Sequence, residues 1–549
     1  MPVRLPAHRS ADLIWLLRVD LGGAPHYLST EQISLSRDDG TDIAYDGGLT
    51  EPQYSESLAR FSYTRDALTQ SIEAVFSGLD MAEHRRRGFF LSTAQCELSI
   101  VFRINGVIQE NYEDRHLIIK GWMSEPLFGH PDRPPGYIVF SINSNPHDLS
   151  GTFIDSTMRI TAQSMANFIT TPNPLSSESV DKVYPLVFGT PGLYADENQT
   201  KTTARATPGY AITRTNVSQH ANEVFIAGHH LAAATVRIHP TGSSAVDNLT
   251  VINGYDYYRN PISYVDVSSQ SNAFREATEF WITFNDGAGV RNPFATSGTV
   301  NGAGDLMLWA CTVADFEVDH GAWYAVRDYL NAFKFSGYIN SASVTVWQWI
   351  TEIAKFIPTL TIRNGPRGIY PIIQDLRANL SSATAITAGP DFYRTGPLSL
   401  EGDQGEIINT VSIDFAFNAK NNVPQSYAVI GSPDPNEPQR FSTTHSMLSI
   451  NRYGVRETAI QAPFIYDKTT AQLVAESIVQ TQGQIPETVE YRASVYYSFL
   501  NLGDQVALTD DDIYLADQIC TVSGRSWDAN GWKIQLLIED DPIRDPRHS

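Results

Sequence analysis

Cysteine is nearly absent: Cys96, Cys311 and Cys520 are the only three in 549 residues, and each stands far from the others. They give no Cys-x-x-Cys pair, no metal-knuckle spacing and no even-numbered framework. Disulfide-stapled and zinc-ribbon classes are therefore excluded, and synthesis in a reducing compartment is expected. Long apolar runs are missing too. No stretch approaches the roughly 18 residues of a membrane span, so no membrane contact is expected. The short apolar piece Leu13 to Leu17 gives way at once to Arg18 and Asp20, without a small-residue cleavage site, and no signal peptide is expected. The Asn-x-Ser/Thr triplets at Asn198, Asn216, Asn248 and Asn379 then read as chance. Positive charge is scarce: 39 Lys and Arg stand against 61 Asp and Glu, a formal charge of −22. Such a surface repels phosphates and does not grip nucleic acid broadly. The one basic run, Arg85-Arg86-Arg87, reads as a solvated loop ahead of a phosphate or partner site.

Catalytic templates are equally lacking. There is no Gly-x-Ser-x-Gly elbow and no phosphate-binding Gly-x-x-x-x-Gly-Lys-Ser/Thr loop. Asn301-Gly-Ala-Gly304 holds only Gly-x-Gly, without the third glycine of a dinucleotide site. His229-His230 and His239 lie close in sequence, and Asp319-His320 further on, but adjacent side chains on an extended segment point to opposite faces. Asp510-Asp511-Asp512 lacks the alternating spacing, glycine and closing glutamate of a calcium loop and reads as a solvated acidic loop. No catalytic, cofactor-binding or metal residue is assigned. Glycosidase chemistry needs only two carboxylates, which 61 acids always permit.

What is present is a chain with 42% apolar residues, long enough for about three or four domains. The expected fold class is α+β, mainly β, in three parts: 1–165, 166–371 and 372–549. In the first, Trp15, Leu17, Val19 and Leu21 alternate, and Gly22-Gly23 turns the chain. Cys96 to Ile104 alternates up to Asn105-Gly106, a strong hairpin signal, and Leu117 to Trp122 and Tyr137 to Ile142 read as further strands. In the second, Ser, Thr, Asn and Gly become frequent, with short β-like pieces such as Ala233 to Ile238, and Gly302 to Trp309 leads into two amphipathic helices laid on a sheet. One carries Trp323, Val326, Leu330 and Phe333, with Gly337 as its closing glycine. The other carries Trp347, Ile350, Ile353 and Ala354 and stops at Pro358. The third returns to strands at Val411 to Phe417, Val489 to Tyr497, Gly503 to Leu508, Ile519 to Val522 and Trp532 to Ile538. It has one helix, capped by Asp467 and followed by Gly483. The 25 Tyr, 25 Phe and 9 Trp are read mainly as core and subunit-interface residues rather than rows for stacking sugars or bases.

Several runs in order carry a resemblance. They are Ser449-Ile-Asn-Arg-Tyr-Gly-Val-Arg456, the helix from Asp467, Leu502-Gly-Asp-Gln-Val-Ala-Leu-Thr509, Val522-Ser-Gly-Arg525 and Trp532-Lys-Ile-Gln-Leu536. Together they resemble the baseplate hub proteins of tailed bacteriophages. Gly302 to Ile373, ending in Asn364-Gly-Pro-Arg-Gly-Ile-Tyr-Pro371, is similar to the middle of hubs from long-tailed siphophages. The resemblance covers about half the chain. It implies two tube-like β-barrel domains with inserted α+β domains, a small C-terminal β domain, and a homotrimeric ring presenting six barrels to a six-fold tail tube. The partners it implies are a distal tail or tail tube protein above, a central fibre or tip protein below, and the tape measure protein. DNA would pass without specific binding. The location implied is the virion tail tip, after synthesis in the host cytoplasm. Many hubs carry a fused lysozyme or peptidase domain, and none is expected after Pro542. The expected role is structural, with no enzyme activity and no cofactor. The alternatives are a tail-associated glycosidase or depolymerase and a receptor-binding adhesin.

Overall fold

Alternation along Ala11–Leu21 and Gln95–Ile104 sends Trp15, Leu17, Val19, Leu98, Ile100 and Phe102 to one face, and Ile14, Leu16 and Val101 to the other. The computed structural model describes residues 11–21, 24–52, 54–57, 71–77, 86–88, 94–124, 126–128, 137–143, 149–155, 157–195, 201–216, 218–285, 290, 294, 299–365, 367–374, 383–400, 406–434, 440–528 and 531–538. The Gly22-Gly23 turn, Arg85, Asn198, Asn379 and Pro542 lie outside them. Ala11–Leu21 and Gln95–Ile104 pair antiparallel at the centre of a ten-stranded N-terminal sheet. Asn105 and Gly106 take φ of 52° and 82°, the left-handed pair that a tight hairpin requires.

The C-terminal sheet has eight strands. Thr384–Thr387, Gln505–Asp510, Leu515–Asp528, Gly531–Ile538, Glu487–Ala493 and Phe392–Arg394 follow one another across it. The strand expected over Val489 to Tyr497 ends at Ala493, and a 3₁₀ turn takes Val495–Tyr497. Val506, Leu508, Val522, Trp532 and Leu536 enter the same core as Trp15 and Ile100, so the two sheets close over a single apolar interior. Trp15 meets Trp527 edge to face, ring centroids 6.3 Å apart. The strand Tyr54–Ser57 belongs to the N-terminal part of the chain but pairs antiparallel with Leu515–Asp528.

Between these sheets in sequence stands a seven-stranded central sheet, from Thr207 to Phe284, with apolar residues on both faces. Three helices follow, and they include one more than expected. Ala303–Val313 (α1) is buried almost all round and so has no amphipathic stripe to announce it. The Gly-x-Gly before it serves packing: a Cβ on Gly304 would stand 2.9 Å from the Arg327 carbonyl oxygen of the next helix. His320–Leu330 (α2) begins at Asp319, whose carboxylate accepts from Ala322 N, and stops at Asn331, short of Phe333 and Gly337. Gly337 instead opens the strand Gly337–Ile339, where a Cβ would press on Phe464 and Phe188. Val346–Ala354 (α3) starts in a capping box between Thr345 and Gln348. Its buried stripe is Val346, Trp349, Ile350 and Ile353, and Trp347, expected on that stripe, is only half-buried on its flank. The helices pack on one another and on the hairpin Leu360–Gly365/Gly368–Ile373.

Among its described residues the last third holds two α-helices rather than one. Thr444–Tyr453 (α4) buries only Ser446 and Ser449, so apolar periodicity does not reveal it. Its ends are written locally, in a Thr443–Ser446 capping box and in Gly454 at φ 73°. Lys468–Gln482 (α5) starts where expected, with Asp467 Oδ2 accepting from Thr470 N and Oγ1, both at 2.8 Å. Ala471, Val474, Ala475 and Ile478 pack on the four-stranded sheet that contains Thr410–Asn418 and Val423–Ile430. That sheet and α5 share a core with α1, α2 and α3. Core contacts therefore run across the numbered boundaries of the three expected parts, and the class is α+β, mainly β, with curled sheets. Trp15 is fully buried between the two terminal sheets, and Trp15→Ala should cost about 3–5 kcal/mol. A melt followed by circular dichroism should show a clearly lower apparent Tm, and an unchanged one would contradict the shared core.

Candidate functional site

The polar residues buried between the two sheets converge on Glu56. Strand alternation turns Tyr54 and Glu56 inward and leaves Ser55 and Ser57 exposed. Pairing of Tyr54–Ser57 with the C-terminal sheet then sets Glu56 opposite Arg525. The Arg363 Nη1 donates to Glu56 Oε2 at 3.2 Å, and the Arg525 guanidinium forms an ion pair with the other carboxylate oxygen. Side-chain exposures of 5% for Arg363, 8% for Glu56 and 9% for Arg525 make this a desolvated cluster. Arg525 Nη1 also donates to Leu500 O at 2.8 Å, and its guanidinium lies 5.0 Å from the Trp532 ring centroid and 5.6 Å from that of Tyr54. Burial alone would lower the Arg525 pKa, but Tyr54 and Glu56 outweigh it and hold the group above the ordinary arginine value. Nearby, Asp504 is pushed up to about 6 by burial, against the Asn501 N–H and the Arg525 charge. Trp527 Nε1 donates to Glu51 Oε1 at 2.5 Å, a second tie from the N-terminal segment.

This arrangement can hold parts together. One anion joins three stretches far apart in sequence: the short strand at 54–57, the hairpin arm at 360–365 and the strand at 515–528. Sequence reasoning quoted Arg525 only inside a motif and missed Glu56 and Arg363. The available signal was a charged residue at an inward position, between Val522 and Trp527.

The other singled-out residues do not come together here. His229 Nε2 accepts from Val187 N at 3.0 Å, while its Nδ1–H donates to the His230 carbonyl. His230 bonds Gly254 O at 2.8 Å and His239 bonds Thr283 Oγ1 at 3.0 Å, so each ring has its own backbone or hydroxyl partner. Among the described residues no group of three His, Cys, Asp or Glu is placed to share a metal ion. The acidic run differs from the expected solvated loop at its first member. Asp510 is buried, accepts from the Tyr491 hydroxyl at 2.5 Å, pairs with Arg394 at 3.5 Å and caps the turn Asp511–Ile513. Cys96, Cys311 and Cys520 are buried and form no disulfide with one another. Arg86 and Arg87 are exposed.

Two predictions follow from these environments. Glu56→Ala leaves two buried guanidinia facing each other and should cost about 3–5 kcal/mol, whereas replacing Glu56, Arg363 and Arg525 together by methionine should recover much of that loss. Comparing apparent Tm values of the single and triple variants decides it. The second concerns acid. Burial pushes both His229 and His239 down to about 4. The unfolded chain takes up those protons near pH 6.5 and the folded chain only near 4, so stability present above 6.5 is lost as pH falls through this window. A His229→Gln/His239→Gln variant should show a shallower fall of Tm between pH 7 and 4.5 than the unmodified protein.

No family model matches the chain, and no curated relative matches it. Among solved structures it is similar to the tail protein from Neisseria meningitidis MC58, at 11% identity over 96% of this chain and 97% of that one, with a TM-score of 0.38. It is also similar to the 43 kDa tail protein of prophage MuSo2 from Shewanella oneidensis, at 8% identity, 95% and 98% coverage and a TM-score of 0.36. A third is a chain from the virion of a native gene transfer agent particle, at 11% identity, 68% and 88% coverage and a TM-score of 0.40. These three solved structures are thus two tail proteins, one of them from a prophage, and a virion component.

Proposed function

We propose that the chain is a structural, non-enzymatic hub of a bacteriophage tail tip or baseplate, acting as a homotrimeric ring in the virion. The observation that supports this best is the single core joining the N-terminal and C-terminal sheets, with the Glu56 cluster across their seam. Two β units packed on one shared core in each chain would let a three-fold ring present six β units to a six-fold tube. In this reading 1–165 and 372–549 supply the two tube-like domains, and 166–371 supplies the inserted domain. The hub motifs support it as well: Leu502 to Thr509, Val522 to Arg525 and Trp532 to Leu536 fall on or lead into three adjacent strands of the C-terminal sheet.

The ring would meet a distal tail or tail tube protein above, a central fibre or tip below, and the tape measure protein inside. DNA would cross it on ejection. The charge of −22 fits that role if carboxylates line the passage, because like charge keeps phosphates from sticking within a Debye length of about 8 Å. Native mass measurement of the purified protein or of tail tips should give three copies, and averaged particle images should show a three-fold ring with an acidic channel. A stable monomer within assembled tails would overturn the proposal. A basic channel wall would overturn the passage argument alone.

A further inference from the structure

The connection between strands Ile252–Tyr255 and Pro261–Asp266 of the central sheet exposes three tyrosines in four positions: Tyr255 at 51%, Tyr257 at 55% and Tyr258 at 53%. The other large apolar side chains exposed among the described residues are mostly scattered singly. This tip contributes little to a core, yet its backbone is firmly held. Asp256 is 1% exposed and accepts from the Tyr184 hydroxyl at 3.0 Å, from Asn260 N at 2.8 Å and from Asn260 Nδ2 at 2.9 Å. Tyr257 N donates to Ser164 O at 2.9 Å, and Arg259 takes a left-handed φ of 71°. A buried carboxylate and a strained non-glycine residue are here used to fix exposed aromatic rings, a combination that marks a binding surface better than a packing one. The rings are set at steep angles. Tyr257 and Tyr258 cross at 83° with centroids 5.6 Å apart, and Tyr255 meets His230 at 70° and 4.9 Å.

We propose that this tip binds an uncharged glycan, with the tyrosine faces stacking on the C–H faces of sugar rings and the phenol hydroxyls bonding to sugar hydroxyls. Size selects the occupant. Three half-exposed tyrosines offer about 300 Å², well short of the about 800 Å² per partner that a stable protein interface buries, and enough for a few sugar rings. The chain's overall charge of −22 disfavours polyanions such as nucleic acid or acidic polysaccharide, although the exposed charge of the tip itself is Arg259. The assignment is independent of the hub reading.

Affinity electrophoresis of the full chain through gels containing dextran, mannan or galactan, with polygalacturonate as the polyanionic control, tests it. At least one neutral polysaccharide should retard the protein, and Tyr257→Ala/Tyr258→Ala should weaken that retardation about tenfold or more at unchanged Tm. Nitration of tyrosine by tetranitromethane, mapped by mass spectrometry, should slow at Tyr257 and Tyr258 when that polysaccharide is present. The proposal is overturned if no neutral polysaccharide retards the protein, if the double variant is retarded equally, or if polygalacturonate retards it most. It is also overturned if the variant binds glycan normally but no longer enters assembled particles, which would make the tip a protein contact.

Discussion

The arrangement of the molecule depends on one buried anion between two cations. Placing Glu56, Arg363 and Arg525 in an apolar interior costs desolvation energy that their mutual attraction does little more than offset, so the cluster is a poor explanation of stability. It is a good explanation of specificity. Side chains alternate along a strand, so a one-residue slip of Tyr54–Ser57 against Leu515–Asp528 would turn Glu56 to solvent and leave both arginines without their anion. An apolar residue at that position would tolerate the slip far better. The ion cluster thus fixes register, register fixes how Tyr54–Ser57 lies across the seam, and through it the relation of the two sheets.

Much of this was legible in the chain where a local rule decides the conformation. Asn105-Gly106 turns as its dipeptide predicts, Asp467 caps α5, and the alternation of Trp15, Leu17 and Val19 gives the face that meets the other sheet. Legibility failed where tertiary context decides. Helix α1 carries apolar residues on every side because other elements enclose it, and α4 buries serines. Phe333 and Gly337 extend the apparent period of α2 although each serves another contact. The cluster at Glu56 was the least visible of all, because its members lie hundreds of positions apart and nothing in a single sequence links an acid in Ser55-Glu56-Ser57 to an arginine near the other end.

The histidines and the acidic run teach the same lesson from the other side. Grouped by sequence, His229, His230 and His239 suggest convergence, yet each ring is oriented by a separate acceptor or donor supplied by the backbone or Thr283. Burial keeps the His229 and His239 imidazoles neutral, and protonating them in acid costs stability, a structural rather than a chemical use of the side chain.

Two cores must also be joined to each other, and the hairpin Leu360–Gly365/Gly368–Ile373 does this. Leu360, Ile362 and Ile369 lie in the core that α1, α2, α3 and α5 share, while Ile372 lies in the core between the terminal sheets and Arg363 reaches the seam. Trp323 of α2 donates its indole N–H to Ile369 O at 2.9 Å, fixing the hairpin from the helical side. From the other side Gly503 closes on Ile372 at a φ of 85°, so tightly that a Cβ there would overlap the isoleucine side chain. That contact accounts for the glycine in Leu502-Gly-Asp504 as a requirement of close approach between two cores, and the same hairpin holds Asn364, Gly365 and the run Gly368 to Pro371. These two runs of the resemblance therefore sit where helices α1, α2 and α3 lock onto the paired sheets.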